Sequence, residues 1–288
     1  MKSQPSPSKS IETLVEDIYG LFREEGAFNP TEDSVEEFGR ELSKIIAARV
    51  GARQGGDILR LSKLGGKCDR KLWYDKHKPE TGEELPPQAR IKFLFGDILE
   101  ALLLFLAREA GHKVEGEQDE INVEGVPGHR DAIIDGVTVD CKSASSFAFN
   151  KFESGLTPDE DAFGYLTQLD AYRVGSLDDP LLEDKDRAAL LVIDKQLGKI
   201  CLDVHGPQPI NYPKLVQKKR EILDKDVPPP RPFGSVADGK SGNEKLHTVC
   251  SYCAYKKECW PGLRTFLYGN GPRFLTRVTR LPNVPEAK

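Results

Sequence analysis

Asp131 and Asp140 stand on either side of Asp135-Gly136, a pair that separates the apolar runs 132–134 and 137–139. Asp-Gly between two such runs predicts a two-residue type I′ hairpin turn. In that register Ile134 faces Val137, Ile133 faces Thr138, Ala132 faces Val139, and Asp131 falls opposite Asp140. Side chains alternate along a strand, so Lys142 shares a face with Asp140 while Cys141 points away with Val139 and Val137. Two carboxylates directly opposite each other repel unless positive charge lies between them. A divalent cation and the lysine ammonium are the two candidates. Carboxylates holding Mg²⁺ or Mn²⁺ beside a lysine suit phosphodiester hydrolysis: the ion polarises the phosphoryl oxygen and acidifies a bound water, and the lysine orients that water or offsets developing charge. The plainer reading of the same residues is an exposed hairpin with a solvated polar face.

Two helical stretches could supply further groups. Residues 91–110 carry the most apolar helical pattern in the chain, with Phe93, Leu94, Ile98, Leu102, Phe105 and Leu106 expected on the buried stripe and Gly111 as its stop. Glu100 lies within it. A carboxylate in an apolar helix is costly unless paired or metal-bound, so Glu100 is a candidate third ligand, with exposure on the outer face as the alternative. Thr157-Pro158-Asp159-Glu160 combines a cap residue, a first-turn proline and a capping carboxylate, which predicts a helix start. The helix it opens carries Gln168 and Tyr172, four apart and on one face. They can hydrogen-bond phosphate oxygens or stack on a base, or can be plain surface residues.

Cys250, Cys253 and Cys259 form a C-x2-C-x5-C group, and Cys68 lies far upstream. Close cysteines in a reducing compartment read as metal or cluster ligands rather than disulfides. Cys68 is the best fourth ligand, because Cys141 and Cys201 fall inside expected strands; His247 is a rival that would favour zinc. Four thiolates suit a tetrahedral zinc or a four-iron cluster, and spacing alone leaves both open.

The rest of the chain must position these groups. Residues 10–52 read as two helical runs, one with Ile11, Leu14, Val15, Ile18 and Phe22, the other with Val35, Phe38, Leu42, Ile45 and Ile46. Strands are expected at 188–194 and 199–205, a helix at 212–224, and an extended proline-rich linker after it. Strands alternating with helices make the fold α/β. The expected organisation is a disordered lead-in at 1–10, a helical region at 11–85 carrying Cys68, a core at 86–226, and a linker, cysteine segment and basic tail at 227–288.

The chain has 288 residues, 38% hydrophobic and 30% charged, with a formal net charge of −5. That charge argues against a nonspecific nucleic-acid coat but allows a local basic groove. Two stretches are locally basic: 49–78, with Arg49, Arg53, Arg60, Lys63, Lys67, Arg70, Lys71, Lys76 and Lys78, and a tail with Arg264, Arg273, Arg277 and Arg280. The longest apolar run, 101–107, is too short to span a bilayer, and residues 1–10 have no apolar signal core. A cytoplasmic location with no membrane partner is expected. No Walker-type G-x-x-x-x-G-K-S/T occurs, so no nucleotide-driven motor is expected in this chain.

Together these residues resemble the PD-(D/E)xK nuclease superfamily in its RecB-like, iron–sulfur branch, with likeness to the CRISPR-associated adaptation-module exonuclease and the AddB-type nuclease domain. The resemblance is carried by Gly96 to Glu100, Gly128-x-x-Asp131, Asp140-x-Lys142, Gln168-x-x-x-Tyr172 and the four cysteines, over roughly residues 60–265. It implies a restriction-endonuclease-like core, a central mixed β-sheet flanked by helices, with an N-terminal helical cap and a C-terminal cysteine-cluster region. It implies that Asp131 and Asp140 bind catalytic Mg²⁺ or Mn²⁺ with Glu100 assisting, that Lys142 activates the attacking water, and that Gln168 and Tyr172 position substrate. Cys68, Cys250, Cys253 and Cys259 would hold a [4Fe–4S] cluster, structural Zn²⁺ being the alternative. Two departures stand out: the family often has histidine where Glu100 stands, and glutamate where Asp140 stands. The function implied is a metal-dependent exonuclease on single-stranded DNA ends, in recombination, end resection or CRISPR-type processing in a bacterial or phage-infected cell. Its rivals are a silent DNA-end-binding scaffold and a structure-specific endonuclease.

Overall fold

A computed structural model describes residues 9–25, 28–50, 58–84 and 86–287. Residues 1–8 of the expected lead-in and Arg53 of the basic stretch lie outside these. The chain forms two units, one from residues up to 65 and 87–212, the other from residues 66–86 and 213–288.

In chain order, a 3-10 turn at Ile11–Thr13 runs into α1 (Leu14–Gly20), followed by α2 (Glu32–Val50) and the one-turn α3 (Leu61–Leu64). The second unit contributes α4 (Asp69–His77), and the first resumes with α5 (Pro87–Glu109). Five strands follow: β1 (Val114–Glu115), β2 (Glu120–Val123), β3 (Val126–His129), β4 (Ala132–Ile134) and β5 (Val137–Ala144). Then come α6 (Ser146–Glu153), α7 (Tyr165–Gly175), β6 (Ala188–Asp194), β7 (Ile200–His205) and α8 (Tyr212–Leu223). The second unit ends with β8 (Ser235–Ala237), β9 (Glu244–Leu246), α9 (Thr248–Ser251), α10 (Lys256–Cys259), β10 (Arg264–Tyr268), β11 (Gly271–Arg277) and β12 (Glu286–Ala287).

The first unit is built on a sheet in the order β1-β4-β5-β6-β7. β5 and β6 run parallel, and the other pairs are antiparallel. β6 reads as a continuous apolar run because both its faces are covered. Ala189, Leu191 and Ile193 join Val137, Val139 and Cys141 of β5 in a core completed by α1 and by Leu99, Leu103 and Leu106 of α5. Ala188, Leu190 and Val192 face the other way, onto Phe149 and Phe152 of α6 and Leu166 and Leu169 of α7. Each such fully buried aliphatic side chain contributes about 1.5–3 kcal/mol relative to exposure. The result is mixed α/β, a central mixed sheet flanked by helices, as a restriction-endonuclease-like core requires.

The β4–β5 hairpin has the expected register: Ala132 pairs with Val139, Ile133 with Thr138 and Ile134 with Val137. Asp135 and Gly136 take φ of 49° and 76°, the left-handed pair of a type I′ turn, where glycine is the unstrained residue. Gly128 on β3 is needed for a different reason: a Cβ there would lie 2.8 Å from the Leu61 side chain of α3.

Other expectations need correction. On α5, Phe93 is 45% exposed and Leu94, Ile98 and Leu102 are only partly covered; the buried stripe is Leu99, Leu103 and Leu106, with Phe105 beside it. On α2, Val35 and Ile46 are exposed, while Phe38 stacks on Phe105 at 4.5 Å. The helix of Gln168 begins at Tyr165, not at Thr157. Thr157 Oγ1 donates to Glu160 Oε2 at 2.9 Å, a side-chain contact rather than a cap, within a turn that does not continue into the helix. Asp161 then caps α7 itself, its carboxylate accepting from the amides of Gly164, Tyr165 and Leu166 at 2.8–2.9 Å. Residues 227–288 hold more than a linker and a cysteine segment: their strands form an antiparallel sheet in the order β12-β10-β11-β9-β8.

Candidate active site

β5 positions the first groups. Because Val137, Val139 and Cys141 commit one face to the α5 core, Asp140 and Lys142 must face α7. Asp131, just before β4, turns its Oδ2 to accept from the backbone N–H of Cys141 at 2.7 Å. Gln168 and Tyr172 reach in from α7: Gln168 Nε2 donates to Asp140 Oδ1 at 3.2 Å and to the Tyr172 hydroxyl at 2.9 Å. Asp140 is buried, and its Oδ2 forms an ion pair with Lys142 Nζ but accepts no hydrogen bond of good geometry. Lys142 Nζ also lies 5.5 Å from the Tyr165 ring centroid. Glu100, on α5, receives a hydrogen bond from Gln118 Nε2 at 2.8 Å.

Asp131, Asp140, Lys142, Glu100, Gln168 and Tyr172 are thus gathered within the first unit, and their electrostatics are mutual. Burial, and then the charges of Asp131 and Asp140, push the Glu100 carboxyl up to about 9. Burial, and then Asp140, push Asp131 up to about 7. Burial would lower Lys142, but the charges of Asp140 and Asp131 outweigh it and hold the ammonium above its ordinary range. Tyr172 is raised by burial and by Asp140, so its hydroxyl keeps its proton. Its ring is only 4% exposed, so Tyr172 presents a hydroxyl and not a face on which a base could stack.

The half-buried Glu100 and Asp131, both pushed up by burial and neighbouring charge, and the buried Asp140, one oxygen of which lacks a hydrogen bond, form a donor set whose chemistry suits a hard divalent cation. Among the described residues, no three His, Cys, Asp or Glu side chains are grouped tightly enough to hold an ion without side-chain movement.

Sequence reasoning missed two residues here. Arg130 has a fully buried side chain, contacting Gly116 O at 3.0 Å, Asp119 Oδ2 at 2.7 Å, Asp179 Oδ2 at 2.6 Å and Ser176 Oγ at 3.1 Å. It anchors the chain immediately before Asp131. Gln118 was passed over because nothing in its local pattern marks it; only the fold brings it to Glu100.

In the second unit, Cys68 caps α4, Cys250 lies in α9, Cys253 between the two short helices and Cys259 at the end of α10. None of the four is in a disulfide, and all are partly buried. Burial, then the neighbouring thiols Cys68, Cys253 and Cys259, push Cys250 up to about 11. Cys68 and Cys253 are raised in the same way, burial first and Cys259 among the further causes. Thiols that disfavour one another's ionisation are a soft donor set that a metal would stabilise. His247 is engaged elsewhere, its Nδ1 accepting from Val249 N at 3.3 Å and its ring stacked on Phe233 at 4.5 Å.

The basic stretches are largely neutralised. Arg49 pairs with Asp97, Lys71 with Asp75, Lys76 with Asp224 and Lys78 with Glu258. In the tail, Arg264 pairs with Glu286, Arg273 with Asp238 and Arg277 with Glu244. Among the described residues, no helix is long and apolar enough to cross a membrane.

No protein-family model matches the chain, and no curated protein matches it in sequence. Among solved structures, the crystal structure of SSO0001 is similar at 18% identity over 78% of this chain and 96% of that one, with a TM-score of 0.41. An alkaline exonuclease from Laribacter hongkongensis is similar at 13% identity over 63% of this chain and 90% of that one, with a TM-score of 0.33.

Proposed function

We propose that this protein is a metal-dependent deoxyribonuclease that hydrolyses phosphodiester bonds, with a preference for single-stranded DNA ends. The observation that carries the reading is the grouping of Glu100, Asp131 and the buried Asp140, the first two raised by burial and by the neighbouring acids, with Lys142 ion-paired to Asp140 Oδ2. Asp131 and Asp140, with Glu100 assisting, would hold Mg²⁺ or Mn²⁺. When bound, the ion polarises a phosphoryl oxygen and makes water a better nucleophile.

The chain's own residues do the rest. Lys142, held protonated by the aspartates, donates hydrogen bonds that orient an attacking water or offset charge on the phosphate. Gln168 fixes Asp140 Oδ1 and accepts the role of spacer between that acid and Tyr172. The Tyr172 hydroxyl, which accepts from Gln168 and keeps its own proton, is free to donate to a phosphate oxygen. Cys68, Cys250, Cys253 and Cys259 are proposed to hold a [4Fe–4S] cluster, with zinc as the alternative occupant. Such an activity suits end processing in recombination, resection or CRISPR-type pathways.

The test is digestion of end-labelled DNA with Mn²⁺ or Mg²⁺, comparing linear single strands, duplex and circles, with the Lys142→Ala protein alongside. Metal-dependent loss of linear single strands by the wild type alone is expected. Cutting of circles would make the enzyme an endonuclease, and no cutting by metal-replete protein would leave a DNA-end scaffold.

A further inference from the structure

We infer that Gln118 is a positioning residue that holds Glu100 and Asp131 at the spacing their shared ion needs; the inference rests on the nuclease reading above. Gln118 sits in the turn of residues 116–119 that joins β1 to β2. Gln118 is the bridge between the two acids: its Nε2 donates to Glu100 Oε1 at 2.8 Å, its backbone N–H donates to the Asp131 carbonyl at 3.3 Å, and its side-chain amide, facing the Asp131 carboxyl, favours that group's charged form. A primary amide has two N–H donors and no charge. It can therefore tie two mutually repelling carboxylates together without competing with a cation for them.

The backbone supporting this bridge is strained and heavily tied. Gln118 has φ of 55°, a left-handed conformation that glycine, asparagine and aspartate favour and glutamine does not. Such a conformation is costly for a non-glycine residue and persists only where its surroundings over-determine it. Here every residue of the turn is held. Gly116 O accepts from Arg130 Nε at 3.0 Å, Glu117 receives Arg108 at 2.7–2.8 Å, Gln118 N donates to Asp131 O at 3.3 Å, and Asp119 Oδ2 receives Arg130 at 2.7 Å. Two arginines, one of them with a fully buried side chain, thus clamp a turn whose exposed tip is a glutamine. An exposed glutamine fills no core, so packing does not account for the arrangement. Its contacts with the two acids do.

The test compares wild-type protein, isolated without oxygen, with Gln118→Met and Gln118→Asn. Methionine keeps the length and loses the donors; asparagine tolerates the left-handed backbone better but is one methylene short of reaching both acids. Mn²⁺ binding is followed by electron paramagnetic resonance without DNA, then kcat at saturating Mn²⁺ and the unfolding midpoint in EDTA. Both variants are expected to weaken Mn²⁺ binding by roughly 10- to 100-fold, while saturating Mn²⁺ restores most of kcat and the midpoint in EDTA does not fall. Should methionine prevent folding, the asparagine variant alone decides. Superimposable Mn²⁺ titrations in a wild type that cuts DNA would overturn the role of Gln118 and leave the nuclease reading intact. A wild type that neither binds Mn²⁺ nor cuts DNA would overturn both.

Discussion

Gln168 Nε2 donates to Asp140 Oδ1 at 3.2 Å, so that a side chain of α7 sets the direction of a carboxylate on β5. The same nitrogen donates to the Tyr172 hydroxyl at 2.9 Å, coupling the proposed ligand Asp140 to the group proposed to meet the phosphate. Replacing Gln168 by leucine is expected to lower kcat roughly 10- to 100-fold, the scale on which partners of metal ligands act. The Michaelis constant for DNA should move much less. Steady-state kinetics at saturating Mn²⁺ check this, and an unchanged kcat would remove Gln168 from the site.

The acids predict a stability signature in the absence of metal. Asp131 rises from an ordinary 3.8 to about 7 in the folded chain, through burial first and Asp140 second. A carboxyl raised in this way binds its proton more tightly when folded, so its contribution is favourable below 3.8 and is lost as pH climbs toward 7. In EDTA the wild type should therefore lose stability relative to Asp131→Asn across that window, with a slope of at most about 1.4 kcal/mol per pH unit for one proton. Above it the asparagine variant, although inactive, should be the more stable protein. Urea unfolding at a series of pH values measures the difference; a flat difference would mean that Asp131 does not sit among competing charges.

The thiol group predicts a coupling between metal content and folding. Lys219 of α8 is buried and donates to Gly66 O at 2.9 Å and Asp69 Oδ1 at 2.7 Å, holding the chain on both sides of Cys68. Lys219→Met leaves Asp69 without its main partner and is expected to destabilise the protein by about 3–5 kcal/mol. If the thiols hold the proposed cluster or zinc, Cys250→Ser should abolish its binding, together with much of the stability. Iron, sulfide and zinc analysis of the purified proteins reads both outcomes. A metal-free but fully stable serine variant would show that the thiols are not a structural centre.

On the proposed single-strand reading, Phe163 is a candidate stacking group for an unpaired base. Its ring is 43% exposed and lies 5.7 Å from the Tyr165 ring, which in turn neighbours Lys142. Stacking of a base on such a ring is worth about 1–3 kcal/mol. Phe163→Ala is expected to raise the Michaelis constant for single-stranded DNA accordingly while leaving that for duplex unchanged. Equal effects on the two substrates would argue against stacking.

The local chemistry of the hairpin was legible from residues 131–142 alone. Asp-Gly dictates the turn, the turn dictates the register, and alternation then dictates that Asp140 and Lys142 share a face opposite Cys141. The apolar run 188–194 was likewise readable as a strand, because a strand covered on both faces needs no alternation. Periodicity failed where burial depended on partners: Phe93 and Val35 repeat with helical spacing, yet both are exposed.

Sequence by itself determined the groups whose positions follow from short-range rules: two acids and a lysine about a tight turn, a glutamine and tyrosine four apart on a helix, and cysteines at close spacing. Only the tertiary structure decided which distant residues complete them. Glu100 and Gln118 come from different elements and share a hydrogen bond across 18 residues; Gln168 finds Asp140 across 28. Asp161, not Thr157, starts α7, because a buried carboxylate that can satisfy three amides outweighs a local capping box. Burial and mutual charge, which push Asp131 and Glu100 above their ordinary range, are properties of the assembled site, and no spacing along the chain carries them.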